Sequence, residues 1–96
     1  MPQVRLPLER QTVMSAPADH PELATLRQAL DEVDDALAGL LAHRVRLSRQ
    51  AQACKARVNL PAYDANREAA IRDRYERHQA GASALARAIL RFCRDH

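Results

Sequence analysis

Apolar residues recur from residue 23 onward in alternating steps of three and four, the spacing of one face of an α-helix. No proline lies between Pro21 and Pro61, and Pro21 itself suits a first helical turn. The pattern predicts one long helix that ends near Val58 or Asn59, because the residue before Pro61 is pushed out of the α region. The stripe consists of Leu23, Leu26, Leu30, Val33, Leu37, Leu40/Leu41, position 44, Leu47/Ser48, Ala51, Cys54/Lys55 and Val58.

Two shorter helices are predicted after Pro61. Asp64 is a suitable N-cap for a helix over about 65–79, and Ser83 for a third helix that runs to about Arg94. Gln79-Ala80-Gly81 separates the two. In the second helix Arg67, Ile71, Tyr75 and His78 fall on one face, and in the third we expect Leu85, Ile89, Phe92 and Cys93 to face inward. The fold class is therefore all-α, with a long, a medium and a short helix.

The domain organisation follows from where this periodicity begins. Residues 1–18 hold three of the five prolines and show no sustained period, which predicts a disordered leader before a helical domain over 19–96. A helix of about 38 residues is roughly 57 Å long, and a chain of this size cannot cover its whole stripe. We therefore expect a second copy of the chain, in a homodimer.

Charge and cysteine content exclude little. The formal net charge of +3, from 15 basic and 12 acidic residues, suits anionic small molecules as well as nucleic acid. Cys54 and Cys93 lack the spacing of a metal site or a disulfide framework, so we expect no metal and a reducing cytoplasm. No apolar run reaches the ~18 residues of a membrane span, and the N-terminus lacks a secretory signal. A cytoplasmic protein without membrane contact is expected.

Two cations interrupt the apolar stripe. Arg44 and Lys55 are 11 residues apart, which brings them within about 20° of each other around a helix. Cations that face a packed interface need an anionic partner, and no acidic residue in the neighbouring turns shares their face. The sequence therefore predicts an anionic ligand. Arg27 lies about 100° and roughly 25 Å from Arg44 on the same helix, so only a partner copy could deliver it to this groove.

A second group of charged residues opens the second helix. Asp64, Arg67 and Glu68 fall within one turn. Taken singly, each has an ordinary structural interpretation, as a helix cap or as a solvated surface pair. Their spacing relative to Arg44 and Lys55, however, indicates a functional role.

Together these positions resemble the all-helical chorismate mutases, the AroQ type. They register without a gap over about half the chain. The resemblance implies an intertwined homodimer that rearranges chorismate to prephenate, an isomerase of aromatic amino acid biosynthesis in the shikimate pathway, without a cofactor. The matching segments are Leu26-Arg27-x-x-Leu30-Asp31-x-x-Asp34, Leu40-Leu41-x-x-Arg44, Lys55 and Pro61-x-x-Asp64-x-x-Arg67-Glu68.

The resemblance implies that three arginines bind the two substrate carboxylates. Arg44 and Arg67 would come from one protomer, and Arg27 from the other. Their planar forks fix the direction of a carboxylate as well as its charge, which would hold the flexible enolpyruvyl arm in its reactive conformer.

The other implied roles concern the reacting bond and the ring. Lys55 would donate to the ether oxygen of the bond being broken, where negative charge grows in the transition state. Glu68 would accept from the ring hydroxyl, and Asp64 would shape the same edge of the pocket. By this resemblance Lys55, Arg44 and Glu68 are catalytic.

The C-terminal segment departs from the usual pattern of the family. The usual third helix supplies a Gln that also contacts the ether oxygen, whereas this chain has Phe92-Cys93-Arg94-Asp95-His96 and no Gln there. The tail resembles the short subclass of these mutases, which is activated by docking onto 3-deoxy-D-arabino-heptulosonate 7-phosphate (DAHP) synthase. That enzyme is therefore an implied partner.

Three other functions remain open. Isochorismate pyruvate-lyase and 4-amino-4-deoxychorismate mutase use related scaffolds with the same carboxylate clamps. A non-catalytic helical dimer with a basic face is a third reading, but nucleic-acid binding favours cations on the exposed face. Here Arg44 and Lys55 fall on the apolar stripe, so no nucleic-acid partner is expected.

Overall fold

The computed structural model describes residues 20–96, which form three α-helices. They are α1 (Pro21–Arg57), α2 (Ala65–His78) and α3 (Ser83–Asp95). Residues 20–96 contain no β-strand. The prediction of an all-α chain with a long, a medium and a short helix is confirmed. The predicted leader, residues 1–18, lies outside the described residues. None of the three helices is long and apolar enough to cross a membrane.

The end of α1 is a hydrogen-bonded turn around a left-handed residue. Asn59 has φ 60°, a conformation that asparagine tolerates better than most residues. The Leu60 N–H donates to the Lys55 carbonyl at 2.9 Å, and the Asn59 N–H to the Ala56 carbonyl at 3.4 Å. This is the arrangement of a Schellman motif. The helix thus ends at Arg57, one or two residues earlier than the proline alone predicts.

The start of α2 agrees with the sequence prediction. Asp64 is the N-cap, with φ −127° and ψ 99°, and its Oδ1 accepts from the Arg67 backbone N–H at 2.9 Å. The cap satisfies one of the four N–H groups that a helix start leaves without a partner. The helix ends at His78, and the Gln79 N–H donates to the Tyr75 carbonyl at 3.1 Å.

The predicted cap of α3 is wrong. Ser83 is the first helical residue, and Ala82 stands at the N-cap without a side-chain hydrogen bond. The carboxylate of Glu76, in α2, does the capping: it accepts from the Gly81 N–H at 2.8 Å and from the Ser83 N–H at 2.9 Å. Gly81, with φ 88°, provides the turn that aims its N–H at Glu76. These two hydrogen bonds lower the pKa of Glu76 from its ordinary value, and the bond from Gly81 has the larger effect.

The described chain divides into two compact units, one up to Gly39 and one from Leu40 onward. In the first unit every described residue is exposed. Its exposed apolar side chains include Leu23, Leu26, Leu30, Val33 and Leu37. The expectation that the chain itself leaves this stripe uncovered is confirmed for residues 20–39.

The second unit contains a small core. Its buried residues are Val45 of α1, Ile71 of α2, and Ala86, Leu90 and Cys93 of α3. On the shared face of α2, Ile71 is buried and Tyr75 is half-buried, while Arg67 and His78 are exposed.

The inward face of α3 differs from the prediction. Leu85 is 57% and Phe92 40% exposed, whereas Ile89 is half-buried and Cys93 is buried as expected. The buried face runs through Ala86, Leu90 and Cys93, at i, i+4 and i+7. This helix carries apolar residues on two adjacent faces. The face that is buried by packing is the one that includes the small Ala86.

Candidate active site

A cavity of about 360 Å³ lies within the second unit, between residues 44 and 94. Its wall comes from the C-terminal half of α1, the α1–α2 connection, the first two turns of α2 and the last turns of α3. Four cations against two carboxylates give the wall a formal net charge of +2. The charged lining residues are Arg44, Lys55, Asp64, Arg67, Glu68 and Arg94.

Arg44 and Lys55 lie on this wall as their spacing predicted. Both are half-buried. The Arg44 Nη1 donates to the Cys93 Sγ at 3.1 Å, and the Lys55 Nζ donates to the Ala62 carbonyl at 3.0 Å. Both acceptors are neutral, so neither positive charge is cancelled within the described chain. Lys55 is also the single lysine of the sequence.

Glu68 is held by an ion pair that the sequence did not reveal. The Arg94 Nη1 donates to the Glu68 Oε2 at 2.6 Å, with the Glu68 side chain 17% and the Arg94 side chain 46% exposed. The bond uses one oxygen of the carboxylate and leaves Oε1 able to accept another donor. The sequence predicts no partner for Arg94, because no local pattern reveals a contact across 26 residues.

Asp64 and Arg67 share the edge of the cavity where α2 begins. The cap described above fixes the Asp64 carboxylate, since its Oδ1 accepts from the Arg67 backbone N–H. Both residues are exposed in the chain, and both line the cavity. Arg27 is an exposed residue of the first unit, and it is not among the residues that line this cavity.

The cavity wall contains a glutamine, although the C-terminal segment supplies none. Gln52 lies one turn before Lys55 on α1, and its Nε2 donates to the same Ala62 carbonyl at 3.3 Å. Gln52 was not predicted as a site residue, because the family pattern places its glutamine in the third helix. The three-residue spacing to Lys55 is the signal that could have found it, since i and i+3 share a helix face.

This arrangement is suited to binding a doubly negative molecule. The cavity has a net charge of +2, and two of its cations are half-buried and have no anionic partner in the described chain. Because the effective dielectric is lower there than in bulk water, these cations attract anionic groups more strongly than fully solvated cations would. Within residues 20–96, no cluster of three or more His, Cys, Asp or Glu residues is placed to hold a metal ion. Cys54 and Cys93 are free thiols.

Comparison with known proteins identifies the family. The family model for chorismate mutase type II matches residues 26–95, a span that includes all the residues lining the cavity. Searches of curated proteins and of solved structures gave no match. With the family match covering most of the chain, and the three-helix fold and the cationic cavity both in agreement with it, this protein belongs to the chorismate mutase type II (AroQ) family and is an isomerase of the chorismate mutase kind.

Proposed function

We propose that the cavity is the active site and that it rearranges chorismate to prephenate. One observation carries the proposal: Arg44 and Lys55, both half-buried, line one cavity with a net charge of +2, and both donate to neutral acceptors. Chorismate is a dianion, so its two carboxylates match the excess charge. The reaction is intramolecular, and the protein has to fix a conformer and stabilise developing charge.

The proposed carboxylate clamps are Arg44 and Arg67. They come from different helices and line the same cavity, and in this proposal they hold the two carboxylates of one molecule at once. Arginine suits this role because two parallel N–H donors fix a carboxylate in orientation as well as position.

Lys55 is the proposed donor to the ether oxygen. Its ammonium has three N–H donors, and the bond to Ala62 uses one of them. The remaining two are available to the substrate. The Ala62 bond also fixes the position of Nζ before the substrate arrives, so little reorganisation is needed when charge grows on the oxygen.

Glu68 and Asp64 are the proposed acceptors at the ring edge. Arg94 orients the Glu68 carboxylate and leaves one oxygen for the ring hydroxyl. The cap bond to Arg67 orients Asp64. Each acidic side chain is thus held by a partner from the chain itself.

We also propose that the enzyme is an intertwined homodimer with shared sites. The support is the apolar stripe of α1, whose side chains before Gly39 are all exposed in the single chain. Large exposed apolar patches are typical of interaction surfaces. In this arrangement Arg27 of one protomer reaches the cavity of the other and adds a third arginine to the clamps.

A complex with DAHP synthase is the second partner proposal. Its structural support is α3, where Leu85 and Phe92 are exposed while Cys93 and Arg94 line the cavity. A partner that binds the outer face of this helix would act on residues that touch Arg44 and Glu68. Docking would then change turnover without adding a residue to the site.

Initial rates of chorismate turnover, measured with and without DAHP synthase from the same organism, test the function. We expect turnover that rises with the synthase and is lost in Arg44→Ala, while helicity and the dimer persist. Near-normal kinetics in Arg44→Ala would refute the site. Faster turnover of isochorismate or 4-amino-4-deoxychorismate would assign the scaffold to those substrates instead. Salt-dependent DNA binding, with no stabilisation by chorismate, would favour a basic binding module.

A further inference from the structure

The contact between Arg44 and Cys93 joins two distant parts of the second unit. Cys93 lies near the end of α3 and is only 5% exposed, and its Sγ accepts from the Arg44 Nη1 at 3.1 Å across 49 residues. Among residues 20–96, Cys93 is the one side chain that hydrogen-bonds to this guanidinium. The thiol also lines the cavity.

We propose that Cys93 is a positioning residue for Arg44, holding its guanidinium in the orientation that binds a substrate carboxylate. The proposal rests on the proposed function of the cavity. Cys93 itself makes no contact with substrate in this role. It acts by restricting the rotamers of a long side chain that would otherwise be ordered only when the substrate binds, and such ordering reduces affinity.

The choice of a thiol has a physical reason. A guanidinium has five N–H donors, so one bond to sulfur leaves enough donors for a bidentate carboxylate contact. Sulfur is a weak, neutral acceptor and does not cancel the positive charge. Arg94 shows the opposite case in the same cavity, because its guanidinium is paired with the Glu68 carboxylate. A carboxylate at position 93 would likewise compete with the substrate for Arg44.

Burial makes the contact effective. The sulfur is almost excluded from water, so solvent competes little for the Arg44 N–H that it accepts. Without this acceptor, the N–H would lose its hydrogen-bond partner among the side chains of residues 20–96. An unsatisfied donor is unfavourable, and the guanidinium would turn toward another acceptor and leave its binding position.

Steady-state kinetics of two variants test the inference. Cys93→Ala removes the acceptor, and we expect KM for chorismate to rise about fivefold, the value of one net hydrogen bond, with kcat changed less than about twofold. Cys93→Ser keeps a neutral acceptor at the same position, and we expect its KM to stay within about twofold of the wild-type value. Cys93→Asp should raise KM more than Cys93→Ala does, because its carboxylate neutralises Arg44.

The matched controls are Cys54→Ala and Cys54→Ser. Cys54 is exposed, lies on α1 and does not line the cavity, so both variants should keep the wild-type KM. Melting temperatures of all variants separate positioning from packing. A role confined to packing would lower Tm in Cys93→Ala while KM of the folded enzyme stayed at the wild-type value. If Cys93→Ala does not fold, Cys93→Val fills the volume without an acceptor and takes its place.

The outcomes separate the two proposals. A wild-type enzyme that does not turn over chorismate, with or without DAHP synthase, overturns the proposed function. An active wild type with an unchanged KM in Cys93→Ala, or with Cys93→Ser impaired as much as Cys93→Ala, overturns the positioning role alone. A rise in KM in the alanine and aspartate variants, together with rescue by serine, supports it.

Discussion

Replacing Lys55 with methionine removes the ammonium group from the cavity and leaves the local fold in place. Methionine is close to lysine in length and in helix propensity. The end of α1 uses only the Lys55 backbone carbonyl, which accepts from the Leu60 N–H at 2.9 Å. The Ala62 carbonyl loses one donor but keeps Gln52. The variant therefore tests the ammonium with little disturbance of the helix.

The expected loss in rate follows from the donors that Lys55 offers. One N–H is engaged with Ala62 at 3.0 Å, so the ammonium is already oriented when the ether oxygen gains charge. Removing one preorganised donor of this kind lowers kcat by about 10²- to 10³-fold, or about 2.7–4 kcal/mol of transition-state stabilisation. The cavity charge also falls by one unit, so we expect KM to rise as well.

Arg57→Met is the matched control for the assay. Arg57 is exposed near the end of the same helix and outside the cavity, so this variant removes one positive charge without removing a cavity donor. Loss of chorismate is followed at initial rates, and circular dichroism reports helicity. Lys55→Met should be deficient while Arg57→Met is near normal. Equal kinetics in the two variants, or a kcat of Lys55→Met close to the wild-type value, would refute the donor role.

Three further predictions concern the shared site, a cap and acid stability. Mixing Arg27→Ala subunits with Arg44→Ala subunits should restore part of the turnover, and no recovery after verified subunit exchange would contradict the shared site. Asp64→Ala should lower the free energy of unfolding by about 1 kcal/mol, whereas Asp64→Asn should retain it in urea titrations. Folding lowers the pKa of Glu76. The Glu76 carboxylate therefore contributes fully to folding stability above its unfolded pKa, near 4.5, and this contribution is lost as the pH falls through its folded pKa. Glu76→Gln should therefore lower Tm at neutral pH and flatten its decline in acid; an unchanged acid profile would contradict this.

The parts of the fold that were predictable are those decided within one helix or one turn. The length of α1 and the shared face of Arg44 and Lys55 follow from helical periodicity. The cap at Asp64 follows from its own side chain. The end of α1 was predicted to within one or two residues, because proline and asparagine restrict the backbone of their immediate neighbours.

The errors occurred where a distant residue decides the structure. Ser83 had the right chemistry for a cap, but the Glu76 carboxylate of α2 accepts from the N–H groups of Gly81 and of Ser83 itself. The face of α3 was misassigned at Leu85 and Phe92, because periodicity cannot choose between two adjacent apolar faces. Only the packing against the rest of the second unit decides between them.

The residues of the candidate site likewise divide into those that the sequence predicted and those that it did not. Its cations on α1 and its charged residues at the start of α2 were found from spacing and from the family resemblance. The contributions of α3 were missed, because Cys93 and Arg94 reach partners 49 and 26 residues away. The role of Arg27 and the dimer stay predictions, because both depend on a second copy of the chain.

Since Lys55 is the single lysine and lines the cavity, an amine-selective acylating reagent has one side-chain target in the whole sequence. The rate at which that ε-amine is labelled, measured by mass spectrometry, then reports how accessible the cavity is to the reagent. Protection by added compounds could be ranked in this way without any turnover, even for molecules that bind and do not react.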